Sequence, residues 1–346
     1  MAQINKPNLY FNTKLYTGNS STQSITGVGF QPDLVWIKSR SVAEWHQLHD
    51  SVRGVAKYFF TNSTSGDNER DPNDQVTSFD SNGFSLGAAA NDSVNTNSAT
   101  YVAWNWLADN TSGSSNTDGS ITSTVSANTT SGFSIVSYTG TGSNATVGHG
   151  LGSIPKMIIV KRRSGADPWR VQHGSLGSQY HLILNETNAS ATGTNVWNDT
   201  EPTSSVFTIS TDRAVNGSGD TFIAYCFAEK KGFSKFGSYT GNGNNDGAFI
   251  YTGFKPAFVI NKIYSGTTSS WNIFDNKRDG FNDQNKQLYA DLSNAEASGG
   301  KIDLLSNGFK VRSSSDEVNG SGYGYIYMAF AENPLVGTNN IPATAR

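Results

Sequence analysis

A pattern that returns three times constrains this chain of 346 residues more than any other feature. Tyr-Thr-Gly stands at Tyr16-Thr17-Gly18, Tyr138-Thr139-Gly140 and Tyr239-Thr240-Gly241. Downstream come Pro32, Pro155 and Pro256, each followed six residues later by a lysine, Lys38, Lys161 and Lys262. Between proline and lysine lies an apolar run, Leu34-Val35-Trp36-Ile37, Met157-Ile158-Ile159-Val160 or Phe258-Val259-Ile260. A tryptophan follows, Trp45, Trp169 or Trp271, and each copy closes on Leu107-Ala108-Asp109, Phe227-Ala228-Glu229 or Phe330-Ala331-Glu332. Prolines, lysines, tryptophans and closing alanines advance by 123, 123, 124 and 120 from the first copy to the second. From the second to the third they advance by 101, 101, 102 and 103. Four landmarks moving together mark an internal repeat of roughly a hundred residues.

Each repeat reads as β-structure. The apolar runs are short and continuous, as in strands buried on both faces. The closing segments 101–107, 222–227 and 325–330 are rich in aromatic and β-favouring residues and read as central strands. Asn82-Gly83 and Asn307-Gly308 supply the positive φ angles of tight hairpins. No window carries a convincing helical period. Short strands at close spacing, with turn signals between them, predict an all-β fold of three tandem antiparallel β-sandwich-like domains. The expected division is an N-terminal arm (1–12), a first domain (13–109), a linker (110–119), a second domain (120–231), a third (232–333) and a C-terminal arm (334–346). The linker is Ser, Gly and Asn-rich and reads as flexible, and the weak alternation from Ile121 to Val125 predicts an added edge strand for the second domain.

Composition rules out several classes of chain. Hydrophobic residues make up only 36% and charged ones 15%, yet the net charge is −3 and there are 19 Phe, 14 Tyr and 7 Trp, so the chain has the material for cores and is not disordered. No basic stripe suits a nucleic-acid partner. Lys161-Arg162-Arg163 closes a predicted strand and reads as a solvated edge. Cys226 is the single cysteine, inside an apolar run, so it reads as a small buried hydrophobe; no internal disulfide forms and no cysteine-based zinc site is expected. Met1-Ala2-Gln3-Ile4-Asn5-Lys6 lacks a signal-peptide pattern, and no apolar stretch is long enough for membrane insertion by a helix.

Catalytic and cofactor motifs are correspondingly thin. His46, His49, His149, His173 and His181 share no landmark position, and none accompanies a G-x-S-x-G elbow, so they read as surface histidines. Gly148-His149-Gly150-Leu151-Gly152 and Gly241-Asn242-Gly243 do not match a phosphate-binding loop, and no cofactor is expected. The run 67–74 offers alternate oxygens for calcium but lacks the glycine and twelfth-position glutamate of an EF-hand, so no metal is expected. One constellation does suggest a ligand. Trp45 precedes Asp50 and Arg53, and Trp271 precedes Asp275 and Arg278, whereas the second copy has His173 and Leu176. An indole beside a carboxylate and a guanidinium is the equipment of a sugar site. The competing reading makes the tryptophans core and the charges a loop-pinning ion pair, with Pro32, Lys38, Pro155, Lys161, Trp169, Pro256 and Lys262 as structural landmarks.

Several longer phrases carry a family likeness. Gly29-Phe30-Gln31-Pro32-Asp33-Leu34-Val35-Trp36-Ile37-Lys38, Ser78-Phe79-Asp80-Ser81-Asn82-Gly83-Phe84-Ser85-Leu86-Gly87, Gly132-Phe133-Ser134-Ile135-Val136-Ser137-Tyr138-Thr139-Gly140 and Ala331-Glu332-Asn333-Pro334 resemble virion structural, tail-fibre-like proteins of marine tailed bacteriophages. The resemblance spans essentially the whole chain and brings no catalytic motif with it. It implies a non-enzymatic protein at the virion surface, made in the host cytoplasm, with other virion proteins as partners and a host-surface glycan or protein as a further one. A tail fibre or spike, as a homotrimer, is the leading expectation, and a capsid decoration protein is the alternative. A carbohydrate-active depolymerase ranks last, because it needs paired carboxylates and only the strand-end Asp109, Glu229 and Glu332 recur in every copy. Either terminal arm is placed to dock on a neighbouring subunit.

Overall fold

Residues 3–63, 69–71, 74–88, 94–279, 282 and 284–332 are described by the computed structural model, and antiparallel strands dominate them. The first stretch supplies β1 (Phe11–Thr17), β2 (Gln23–Thr26), β3 (Leu34–Ser39), β4 (Gln47–Asp50), β5 (Tyr58–Phe60), β6 (Val76–Asp80), β7 (Gly83–Leu86) and β8 (Thr100–Trp106). The second supplies β9 (Ser114–Asn116), β10 (Ser123–Asn128), β11 (Phe133–Thr139), β12 (Ala145–Gly148), β13 (Pro155–Arg162), β14 (Arg170–His173), β15 (Tyr180–Ile183), β16 (Ala191–Thr192), β17 (Val206–Ile209) and β18 (Thr221–Ala228). Two single-turn helices, α1 (Thr194–Trp197) and α2 (Arg213–Asn216), interrupt it. The third supplies β19 (Ser234–Thr240), β20 (Phe249–Tyr251), β21 (Phe258–Ser265), β22 (Asn272–Asp275), β23 (Gln284–Tyr289), β24 (Ala297–Leu305), β25 (Gly308–Val311) and β26 (Gly324–Phe330).

Three sheets share one strand order. The first runs β1-β8-β3-β4-β5, and the same order returns as β11-β18-β13-β14-β15 and as β19-β26-β21-β22-β23. The second sheet gains β10 and β9 on one edge and β16 on the other. The third continues through β24, β25 and β20 and curls into a nearly closed eight-stranded barrel. The remaining strands form the small sheets β2-β7-β6 and β12-β17.

Side-chain alternation explains why the predicted strands are apolar throughout. On β3, Leu34 and Trp36 enter one core while Val35 and Ile37 enter another. Met157 and Ile159 on β13, and Phe258 and Ile260 on β21, join Leu34 and Trp36 in that first core. Their alternates, Ile158, Val160 and Val259, enter cores local to their own stretch. Each sheet therefore has one face in a common core and one in a private core. At the centre of the common core lie the rings that end the three closing strands. Trp106 and Phe227 have centroids 6.3 Å apart, Phe227 and Phe330 5.9 Å, and Trp106 and Phe330 5.7 Å.

This pooled core departs from the expectation of three domains arranged in tandem. One other expectation also changes. The stretch read as a flexible linker contains β9, which pairs with β10, and β10 pairs along β11, so the inserted segment edges the second sheet. The N-terminal arm packs on its own chain, which leaves its docking on a neighbouring subunit untouched as an expectation. The Ile4 N–H donates to the Lys231 carbonyl at 2.9 Å, and Tyr10 packs edge-on against Phe233. The C-terminal arm, 334–346, lies outside the described residues.

Candidate functional site

Strand register corrects one landmark. Asp50 opposes Leu34, His173 opposes Met157 and Asp275 opposes Phe258, so the residues four positions earlier, His46, Trp169 and Trp271, are structural counterparts. Their backbone N–H groups agree: they donate to Asn62 Oδ1 at 2.9 Å, Asn185 Oδ1 at 3.0 Å and Asp291 Oδ1 at 2.9 Å. Trp45 is one residue out of register. The offsets did not single it out, because the tryptophan outruns the lysine by one residue in both steps, 124 against 123 and 102 against 101.

The three aligned rings each reach the next sheet. Trp169 Nε1–H donates to the Phe60 carbonyl at 3.4 Å, and Trp271 Nε1–H to the Ile183 carbonyl at 2.9 Å. His46 Nε2 lies 2.7 Å from the Tyr289 carbonyl. Trp36 Nε1–H donates to His46 Nδ1, which fixes the tautomer with its proton on Nε2. The second sheet thus leans on the first, the third on the second, and the first on the third, so the contacts close a ring.

Ion pairs reinforce the ring and occupy the proposed sugar residues. Asp50 Oδ2 takes Arg53 Nε and, at 2.7 Å, the Tyr225 hydroxyl of the second sheet. Arg53 continues to Glu69, which holds Arg163 of the second stretch in a fork of 2.8 and 3.0 Å. Asp275 takes Arg278 Nε at 2.6 Å and Trp104 Nε1–H of the first sheet at 3.1 Å. Arg278 continues to Glu296, which holds Arg40 of the first stretch at 2.9 and 3.1 Å. His173 makes the corresponding link without charge, its Nε2 lying 3.2 Å from the Tyr327 carbonyl of the third sheet. Asp50, Arg53, Trp271, Asp275 and Arg278 are all buried. Their side chains are spent on contacts that fasten one sheet to the next.

Burial also overturns the surface reading of the histidines and of the basic run. All five histidines are buried. Desolvation lowers His49 to about 3 and His173 and His181 to about 4, so these rings are neutral fasteners near neutral pH. Lys161 and Arg162 are buried too, with Arg162 bridging Asp167 and Asp220 at 2.6 Å each. The landmark lysines spend their ammonium groups on backbone carbonyls. Lys38 donates to Ser39 O at 2.7 Å, Lys161 to Asp167 O at 2.8 Å and Lys262 to Thr187 O at 2.7 Å. Burial lowers Lys38 to about 7 and Lys262 to about 8. Cys226 is buried as expected, and burial raises its thiol pKa. Part of the calcium candidate, including Asp67 and Asn73, lies outside the described residues; among those described, no three His, Cys, Asp or Glu side chains gather.

Trp45 remains as the exposed member of the expected set. It is 38% exposed, against 0% for Trp169 and 1% for Trp271. Its ring leans on Phe60 at 4.7 Å, and the Arg70 guanidinium caps Phe60 from 4.7 Å. Asp71 lies next in the chain, 3.9 Å from Lys57. The patch is an indole and a phenyl ring flanked by groups of both charges, with Phe60 on the edge strand β5.

A search of curated proteins finds no match to this chain. A family model described as Domain of unknown function (DUF7483) matches residues 6–334, a span that takes in all three sheets, and the chain belongs to that family.

Proposed function

We propose that this chain is a non-enzymatic virion protein of a tailed bacteriophage, a tail-fibre or spike component that contacts the host surface through its Trp45 face. The observation that carries the reading is the placement of Trp45, an indole one residue outside the register that buries its neighbour His46. An aromatic face with adjacent charged donors and acceptors stacks on a pyranose ring and bonds its hydroxyls, so the ligand class is a cell-surface glycan. A binding role rather than a catalytic one is supported by the fate of the chemically versatile residues. The histidines and the cysteine are committed to packing. In this reading the three stretches are copies of one sandwich-like module fused around a shared core.

The test is adsorption. Trp45→Ala is expected to weaken binding of the purified chain to host cells, and of virions if gold-labelled antibody finds the protein on the tail. Unchanged adsorption would remove the contact site. The alternative reading is a capsid decoration protein. Label spread over the shell would select it.

A further inference from the structure

The first and second sheets differ at the edge that β1 and β11 share in the common strand order. In the second sheet β11 is covered by β10, with Asn128, Ser126 and Thr124 opposite Phe133, Ile135 and Ser137. The loop glycine Gly150 packs on that covering strand, so close that a Cβ there would meet Val125 Cγ1 at 2.9 Å and Ala127 Cβ at 3.2 Å. In the first sheet the counterpart of β11 is β1, and no strand of the described residues covers it. The counterpart loop, Gly27 to Gly29, has positive φ at both glycines, as Gly150 and Gly152 do. It faces an open cleft of about 540 Å3 along β1, lined also by Thr13, Lys14 and Leu15 and, across from them, by Lys277 and Glu332.

The edge is ready to pair. Leu107 N–H donates to Tyr10 O and Gly18 N–H to Ala99 O, so even-numbered residues of β1 face β8. The odd-numbered Phe11, Thr13 and Leu15 therefore turn their backbone N–H and C=O groups to the cleft, as Phe133, Ile135 and Ser137 turn theirs to β10. The buried Thr13 hydroxyl and the Asn8 amide oxygen have no hydrogen-bond partner there. Lys14 occupies the place of Val136, whose partner on β10 is Val125. Its ammonium makes no ion pair with any described residue.

We propose that this cleft is an acceptor for one extended strand supplied by another polypeptide, which pairs antiparallel with β1 as β10 pairs with β11 and sets a carboxylate against Lys14. Strand addition of this kind draws affinity from main-chain hydrogen bonds and selectivity from alternate side chains. An inward lysine on an edge strand also discourages indiscriminate pairing, which makes the charge of the incoming strand the selective element. The proposal does not depend on the virion reading.

The probe is a fluorescein-labelled peptide of residues 120–129 of this chain, unchanged and with Val125→Glu, titrated by anisotropy into the full chain. Saturable binding is expected, about fivefold tighter for the glutamate peptide, the scale of one cross-strand charge pair. Lys14→Glu is expected to reverse that preference. Thr13→Pro is expected to abolish binding by removing an edge N–H, with its thermal midpoint recorded as the control for folding. Absence of saturation with both peptides, or binding indifferent to Lys14→Glu and Thr13→Pro, overturns the proposal. Binding that emerges only after deletion of residues 333–346 gives the cleft to the chain itself and also overturns it. So does a dimer disrupted by Thr13→Pro, which assigns the strand to a second copy.

Discussion

Trp45 and Trp169 hold different things together, and truncation separates their roles. Trp169→Ala opens space in the common core and is expected to cost about 3–5 kcal/mol. Trp45→Ala trims a surface ring and is expected to shift stability by less than ~1 kcal/mol. Urea unfolding midpoints measure both, and equal losses would place Trp45 in the core. The histidines make stability depend on acid. His173 titrates at about 4 when folded and 6.5 when unfolded, so as pH falls through 6.5 the unfolded chain takes up the proton first. Its stabilising contribution is complete above 6.5 and falls away towards pH 4, by roughly 3 kcal/mol. Asp33, held at about 6 by burial, acts in the opposite sense over part of that window, so the comparison must be differential. His173→Gln keeps a donor for the Tyr327 carbonyl and is expected to flatten the loss between pH 6.5 and 4; an unchanged slope would contradict the assignment. These roles were only half legible in the sequence. The landmark lysines stood out by position, but their carbonyl partners follow no common spacing, being Ser39 for Lys38, Asp167 for Lys161 and the distant Thr187 for Lys262. His46 was hidden because a histidine does in the first stretch what tryptophan does in the other two.

At the scale of the element, the Asp-x-x-Arg turn after β4 and β22 has a natural replacement inside the same chain. The turn after β14 carries His173 and Leu176 and makes its inter-sheet bond without charge. Arg53→Leu alone strands a buried carboxylate and is expected to cost about 3–5 kcal/mol. The double change Asp50→His with Arg53→Leu is expected to cost less than either single change, and additive losses in urea unfolding would show that the turns are not interchangeable. The strands themselves were legible, since β3, β13 and β21 coincide with the apolar runs and β8, β18 and β26 with the closing segments. Their two-faced burial was legible as well. Which core each face entered was not, because a continuous apolar strand looks the same whether its outer face meets a private layer or two neighbouring sheets. The insert shows a similar limit: Ser114-Ser115-Asn116 has linker composition, yet β10 offers it a ladder.

Across the whole molecule, the pooled core predicts cooperativity. Phe330 touches Phe11, Trp106, Phe227 and Phe258, so no stretch can unfold without exposing rings of the others. Calorimetry is expected to show one transition with equal calorimetric and van't Hoff enthalpies. Separate transitions would return the stretches to the status of independent domains. The closure of the ring has a further consequence for how the protein is made. Arg40 and Glu296 are 256 residues apart, so the contact that joins the last sheet to the first waits for most of the chain to leave the ribosome. At about 5–20 residues per second that delay is roughly 13–50 s. Throughout it the nascent first sheet carries Trp104 and Trp106 with no third sheet to cover them, and its safe passage falls to chaperones or to the speed of translation.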